Sequence, residues 1–169
     1  MTTMNNDSAK SKSVNPSGDQ TFVLRREPPK EIETAIGTIR LTVGKTPFVE
    51  QVDKRPVTGE DIMYFVSILS GETNKSLGFA LVRRDGASGA DTAQILSFFP
   101  FKFATDGEKY KKHGIGNALL KQIVEDCKSD GVRLVYVVSR VHEMQNLLRK
   151  FGFVSPQPDL FNLDLLRNS

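Results

Sequence analysis

Lys109-Tyr110-Lys111-Lys112-His113-Gly114-Ile115-Gly116-Asn117 sets three lysines and a histidine directly before two glycines one residue apart. Leu119, Leu120, Ile123, Val124 and Cys127 then recur at the spacing of one helical face, so the glycines stand at a helix start. The first turn of a helix leaves backbone N–H groups without carbonyl partners and carries a partial positive charge. Such an end takes up a phosphate without dedicated side chains, and glycines let consecutive amides turn toward it. Lys111 and Lys112 would add attraction for a polyanion. The plain alternative is a turn bearing solvated lysines, and the surroundings must decide.

Two phosphate loops fail on these residues. A dinucleotide fingerprint needs a third glycine where Leu119 stands, and an acidic residue closing the next strand, which instead ends Val138-Ser139. A nucleotide-triphosphate loop needs Gly-x-x-x-x-Gly-Lys followed by Ser or Thr: Gly116 is followed by Asn117-Ala118, and at Gly44-Lys45-Thr46 the first glycine of the pattern is replaced by Ile39.

The elements that position the stretch can be read on both sides of it. "TFVLRR" predicts a strand stopped by Pro28-Pro29, and Ile32, Ile36, Ile39 and Val43 predict a helix over 30–44. "DIMYFVSILSG" and "SLGFALVRRDG" read as a hairpin joined by "ETNK", and "TAQILSFFP" is a third strand ended by Pro100. After the central helix, which Gly131 should end with a positive φ, "VRLVYVVS" is a continuous apolar run suited to a strand covered on both faces. "VHEMQNLLRKFGF" puts Val141, Met144, Leu148 and Phe151 on one helical stripe, and "LFNLDLL" is a last strand. The order β-α-β-β-β-α-β-α-β places antiparallel strands first and then a strand-helix-strand crossover, which must be parallel. The expected class is therefore α/β of the α+β kind, a mixed, mostly antiparallel sheet with flanking helices.

Residues 1–20 are polar and almost free of apolar side chains, so a disordered tail is expected before a single domain at 21–169. With 169 residues, 38% hydrophobic and 25% charged, the chain has the composition of one soluble domain, and no apolar run nears the roughly 20 residues that span a bilayer. No hydrophobic leader core precedes the domain, which makes the cytoplasm the expected location and a membrane partner unexpected. One cysteine excludes an intrachain disulfide, and two histidines leave little for a metal. A net charge of +3 without interleaved exposed aromatics argues against nucleic acid. Oligomeric state has no signature here.

From about Ala93 to Phe153 the chain resembles the GNAT-type N-acetyltransferases. Their pyrophosphate loop reads Arg/Gln-x-x-Gly-x-Gly/Ala, and Lys111-Lys112-His113-Gly114-Ile115-Gly116 takes that register between Tyr110 and "NALL". "LLRKFGF" stands where the family ends its helix with "LYEKxGF". The resemblance implies that acetyl-CoA is the acyl donor, its pyrophosphate held by the amides of Lys111, Lys112, His113, Gly114, Ile115, Gly116 and Asn117. It implies that the pantetheine arm pairs with the strand end at Phe98 and Phe99. That strand and "VRLVYVVS" would splay to admit the thioester, and the acceptor would be a primary amine of a small molecule or a protein. No metal is implied.

Three departures bear on this. Lys111 replaces the planar Arg or Gln, and Pro100 is separated from Tyr110 by a longer segment than the family uses. Leu148 stands where many members carry the tyrosine that protonates the leaving thiolate, and Val141 where they carry an asparagine. Ser139 and His142, at the end of the buried strand and the start of the next helix, are the nearest polar candidates for catalysis. His142 has a suitable unperturbed pKa, whereas Ser139 could equally cap the helix. The alternative function is a coenzyme A-binding module without turnover. Segments 44–61 and 101–109 would shape the acceptor pocket.

Overall fold

The computed structural model describes residues 10–16, 18, 21–27, 61–70, 73–85, 91–100 and 114–166. Among them, eight strands lie edge to edge: β1 (Lys10–Val14), β2 (Phe22–Glu27), β3 (Asp61–Ser70), β4 (Thr73–Asp85), β5 (Thr92–Phe99), β6 (Leu134–Val138), β7 (Val154–Gln157) and β8 (Leu160–Asp164). Helix α1 (Ile115–Ser129) joins β5 to β6, and α2 (His142–Phe151) joins β6 to β7. The strand order is β1-β2-β3-β4-β5-β6-β8-β7. Every neighbouring pair is antiparallel except β5 and β6, which are parallel because α1 carries the chain back along the sheet between them. This is the mixed sheet that the element order predicts.

Three features differ from the expectation. Lys10–Val14, inside the expected disordered tail, pairs as β1 with Phe22–Arg26 of β2. An edge strand is held by main-chain bonds and needs little apolar side-chain burial, so polarity alone misreads it. The residues of "TNK" belong to β4, whose register with β3 runs through Leu69–Asn74 to Ser70–Thr73. Val154–Gln157, exposed along its length and carrying Pro156, is an additional edge strand. The helix expected over 30–44 and the segment 101–109 lie outside the described residues.

Alternation along the strands sends Phe22, Tyr64, Val82, Ile95, Val137 and Phe161 to one face, where they form one core with Leu119, Leu120, Ile123 and Cys127 of α1 and Leu148 of α2. Met63, Phe65, Phe79 and Leu81 face the other way and are also buried. A polar strut fixes the far half of α1 to the sheet. Tyr64 Oη donates to Asp126 Oδ2 at 2.8 Å, Arg26 bonds Asp130 at 3.1 Å, and Arg84 reaches the same Asp130 carboxylate. Buried Arg26 is thereby paired rather than isolated. With its C-terminal half tied to β2, β3 and β4, the helix has no freedom to slide, and its first turn is held at one end of the sheet. Gly131 leaves the helix at φ 84°, as expected.

Cys127 is part of this packed face, and burial pushes its thiol up to about 11 from 9.0. The folded state therefore holds the proton more tightly than the unfolded chain does. Its contribution is whole below pH 9 and is lost as pH rises to about 11, a swing of about 3 kcal/mol at most. Denaturant midpoints measured across that window should fall in the native protein, and Cys127→Ala should flatten the decline. Tyr64, raised by the same burial, extends the loss to higher pH.

Candidate active site

β4 follows β5 along its whole length, from Asp85–Thr92 to Phe79–Phe99, but β6 follows it only from Thr92–Leu134 to Ile95–Val137. At the point of parting β5 carries a bulge: Leu81 pairs with Ser97 and Val82 with Ile95, so Leu96 is an inserted residue. A bulge bends its strand and increases its twist, which turns the end of β5 away from β6. Gly78 lets β4 keep close to that bent end. A Cβ at this position would overlap the carbonyl groups of Phe99 and Pro100, with the Pro100 oxygen only 2.6 Å away. Phe98 packs into the helix-side core, while the Phe99 ring meets Phe79 on the other face at 5.7 Å. With both rings committed to packing, the backbone of this segment lines the opening toward β6.

The first turn of α1 lies at the same end. Because α1 runs back between two parallel strands, its N-terminus is level with their C-terminal ends, where they part. Gly114 is the N-cap, at φ 72° and ψ 16°, a conformation that costs a residue with a Cβ roughly 1–2 kcal/mol. The first intrahelical bond runs from the Ala118 N–H to the Gly114 carbonyl at 3.0 Å. The N–H groups of Ile115, Gly116 and Asn117 consequently have no carbonyl within the helix. Among the described residues no side chain caps this end, and no acidic residue occupies the first turn. Fully buried Ile115 anchors it, and Gly116 faces α2, where an added Cβ would sit 3.7 Å from Leu147. Pro16, in the turn after β1, closes against Gly114 at 3.3 Å from an equivalent Cβ. Amides without a carbonyl partner inside the helix and a left-handed glycine, with no carboxylate in the first turn among the described residues, suit a diphosphate. Lys111, Lys112 and His113 lie outside the described residues.

Across the opening, the β6–α2 corner is cross-braced. Ser139 Oγ accepts the N–H of Val141 at 3.2 Å, and the Ser139 carbonyl accepts Gln145 Nε2 at 2.7 Å. The same Gln145 nitrogen donates to Asp159 Oδ1 at 3.2 Å, tying the corner to the β7–β8 turn. Asp159 holds that turn at φ 67°, and its backbone carbonyl accepts the Ser139 N–H. The Ser139 hydroxyl oxygen is thus engaged at the helix start, and His142 occupies the first helical position, exposed. Val141, placed by periodicity on the packed stripe, is instead 60% exposed, because as N-cap it precedes the helix proper.

Leu148 has no exposed surface at all and belongs to the core, so it offers the opening neither a proton nor a contact. Truncation should therefore read out as stability: Leu148→Ala is expected to lose about 2–5 kcal/mol in urea unfolding. Gln145, Asp159 and Gly78 were not singled out by residue type. A glycine within a strand signals close backbone approach, so Gly78 was detectable in principle, whereas Gln145 and Asp159 are joined only by tertiary structure.

Among the described residues, no His, Cys, Asp and Glu side chains converge on a metal-ligand group, and no helix is long and apolar enough to cross a membrane. Residues 63–153 match the family model described as the Acetyltransferase (GNAT) family. Several solved structures share the fold. A GNAT-family acetyltransferase structure from Desulfovibrio desulfuricans is 15% identical, with 94% of this chain and 99% of that one covered and a TM-score of 0.55. The GNAT domain of S. lividans PAT is 14% identical over 91% and 96% of the two chains, with a TM-score of 0.59. The ribosomal-protein-S18-alanine N-acetyltransferase from Escherichia coli is 14% identical over 93% and 94%, with a TM-score of 0.54. Comparison with curated protein sequences gives no significant match.

Proposed function

The chain belongs to the GNAT acetyltransferase family, and from that premise we propose that it moves an acetyl group from acetyl-CoA to a primary amine by direct attack in a ternary complex. The observation that carries the reading is the coincidence, at one end of the sheet, of two parallel strands that part after Ile95–Val137 and a helix start whose first amides have no carbonyl partner within the helix. The amides of Ile115, Gly116 and Asn117, continued by Lys111, Lys112 and His113, would hold the pyrophosphate. The backbone at Phe98 and Phe99 would hold the pantetheine arm. When bound, the donor supplies a thioester whose carbonyl carbon forms a C–N bond to the amine as its C–S bond breaks and the thiol departs. The protein's own contribution is alignment, which by itself accounts for a large share of rate in such transfers. His142, exposed beside the opening, and Ser139 are the polar groups proposed to serve the departing sulfur. A cytoplasmic location fits the lone, buried free thiol.

Burial of Leu148 favours a second reading, a coenzyme A-binding module without turnover, since the position that usually supplies a phenol is sealed in the core. Titration calorimetry with acetyl-CoA tests the common premise, and absence of binding would overturn both readings. Thiol release across a panel of amines separates them. Transfer above the hydrolytic background establishes the enzyme, and binding without transfer establishes the module.

A further inference from the structure

On the sheet face away from α1 and α2, Asp61, Arg83, Gln94, Tyr136 and Asn162 form one row across β3, β4, β5, β6 and β8, each the register partner of the next. A polar row through the middle of a sheet is costly unless its members satisfy one another. The first two do. Arg83 Nε and an Arg83 terminal nitrogen bond the two Asp61 carboxylate oxygens at 2.7 and 3.0 Å. Further along, Tyr136 Oη donates to Gln94 Oε1 at 3.2 Å. The direction of this bond is informative. With its proton turned to Gln94, the phenol oxygen keeps a lone pair able to accept from another donor. With Oε1 occupied, Gln94 keeps the two N–H donors of its amide. Among the described residues neither group has a second partner.

Their location gives those spare groups a purpose. Gln94 and Tyr136 stand one register position behind Ile95–Val137, the last pair before β5 and β6 separate. They therefore mark the closed end of the opening. Both are half-buried, and the next β6 residue on their face, Val138, is 59% exposed. The site is an acceptor and a donor side by side, with an apolar flank.

We infer that the Tyr136–Gln94 pair holds the acyl acceptor, and that this acceptor is an α-amino amide of the kind found at a peptide amino terminus. Tyr136 Oη accepts an N–H of the neutral amine, which fixes the orientation of the nitrogen, and Gln94 Nε2 donates to the adjacent amide carbonyl. Among the described residues of this row a free amino acid matches less well, because its carboxylate would want a cation and Arg83 is already held by both oxygens of Asp61. A polyamine would want carboxylates. Asp61 is neutralised by Arg83, and Asp164, two residues along β8 from Asn162 and farther from the opening, accepts the Leu166 N–H at 3.0 Å. This inference rests on the acetyltransferase reading and specifies its acceptor.

The test compares alaninamide, alanine and propylamine on the native protein, on Tyr136→Phe and on Gln94→Glu. Tyr136→Phe retains the ring and removes only the hydroxyl. Gln94→Glu retains an oxygen for the phenol and removes the donor. Three quantities are read: acetyl-CoA affinity, amine binding to protein saturated with coenzyme A, and kcat/KM for thiol release. The native protein should prefer alaninamide over both other amines. Each variant should lose about tenfold of that preference, the worth of one hydrogen bond, chiefly in KM. Acetyl-CoA affinity should stay within about twofold in both variants, since one side-chain substitution there touches no proposed donor contact. Weaker alaninamide binding in both variants supports the inference even without turnover. Alaninamide held no better than propylamine, or held equally well by the variants, overturns it. Failure of the native protein to bind acetyl-CoA is a separate result, which overturns the family-based reading itself.

Discussion

Gly114→Pro is expected to weaken acetyl-CoA binding at least about a hundredfold, because each charge-assisted bond from a backbone amide to phosphate is worth roughly 1.5–3 kcal/mol and the substitution misdirects more than one. The physical cause is local. Gly114 sits at φ 72°, whereas a proline ring holds φ near −65° and removes the residue's own N–H. The chain would enter α1 from a different direction, so the amides of Ile115, Gly116 and Asn117 would no longer point together. Gly114→Ala should fall between the two. It strains the left-handed backbone without forbidding it, and its Cβ would press on Pro16. Calorimetry on the three proteins should return affinities in the order native, alanine, proline. Far-ultraviolet circular dichroism should remain alike, since the helix interior from Ala118 onward is untouched. Equal affinities for native and proline forms would remove the helix start from the donor site.

The second large effect is expected at Gly78. An alanine here drives its Cβ into the main-chain carbonyls of Phe99 and Pro100 rather than into a movable side chain. Either β4 or the end of β5 must move, and the cost should be about 3 kcal/mol, at the upper end of overpacking substitutions. Because the segment displaced is the one lining the opening, donor affinity should drop together with stability. Gly131→Ala is the control: it carries left-handed strain, at φ 84°, that Gly78 does not, with nothing within 4 Å of the added Cβ. It should lose about 1–2 kcal/mol and leave donor affinity unchanged. If Gly78→Ala proves no worse than this control in either measurement, the close approach of β4 to the bent strand end carries no weight in the site.

The comparison of these glycines shows where residue patterns were informative. Gly114 and Gly131 announce themselves, since each borders a run of apolar residues at helical spacing and a helix must start and stop somewhere. Gly78 lies inside a β-rich run, and its meaning depends on which strand end crosses it. The same division separates Leu119, Leu120 and Ile123, whose burial follows from periodicity, from Val141, which shares the stripe in projection but stands exposed at the N-cap. Polar composition also misled in one place. Lys10–Ser13 resembles a tail in every residue yet pairs with β2, because strand pairing draws on backbone groups that every residue possesses.

Local chemistry along the chain sufficed for strands β2 to β6 and β8, the two helices after β5, the parallel crossover and the helix start after the basic cluster, since periodicity, turn residues and crossover geometry are short-range or topological constraints. The partnership of Gln94 with Tyr136, the brace from Gln145 to Asp159, the bulge at Leu96 and the sealing of Leu148 in the core were settled only by folding. Each depends on strand register, and register is a choice among alignments that the alternation of one strand leaves nearly equivalent until its neighbours are in place.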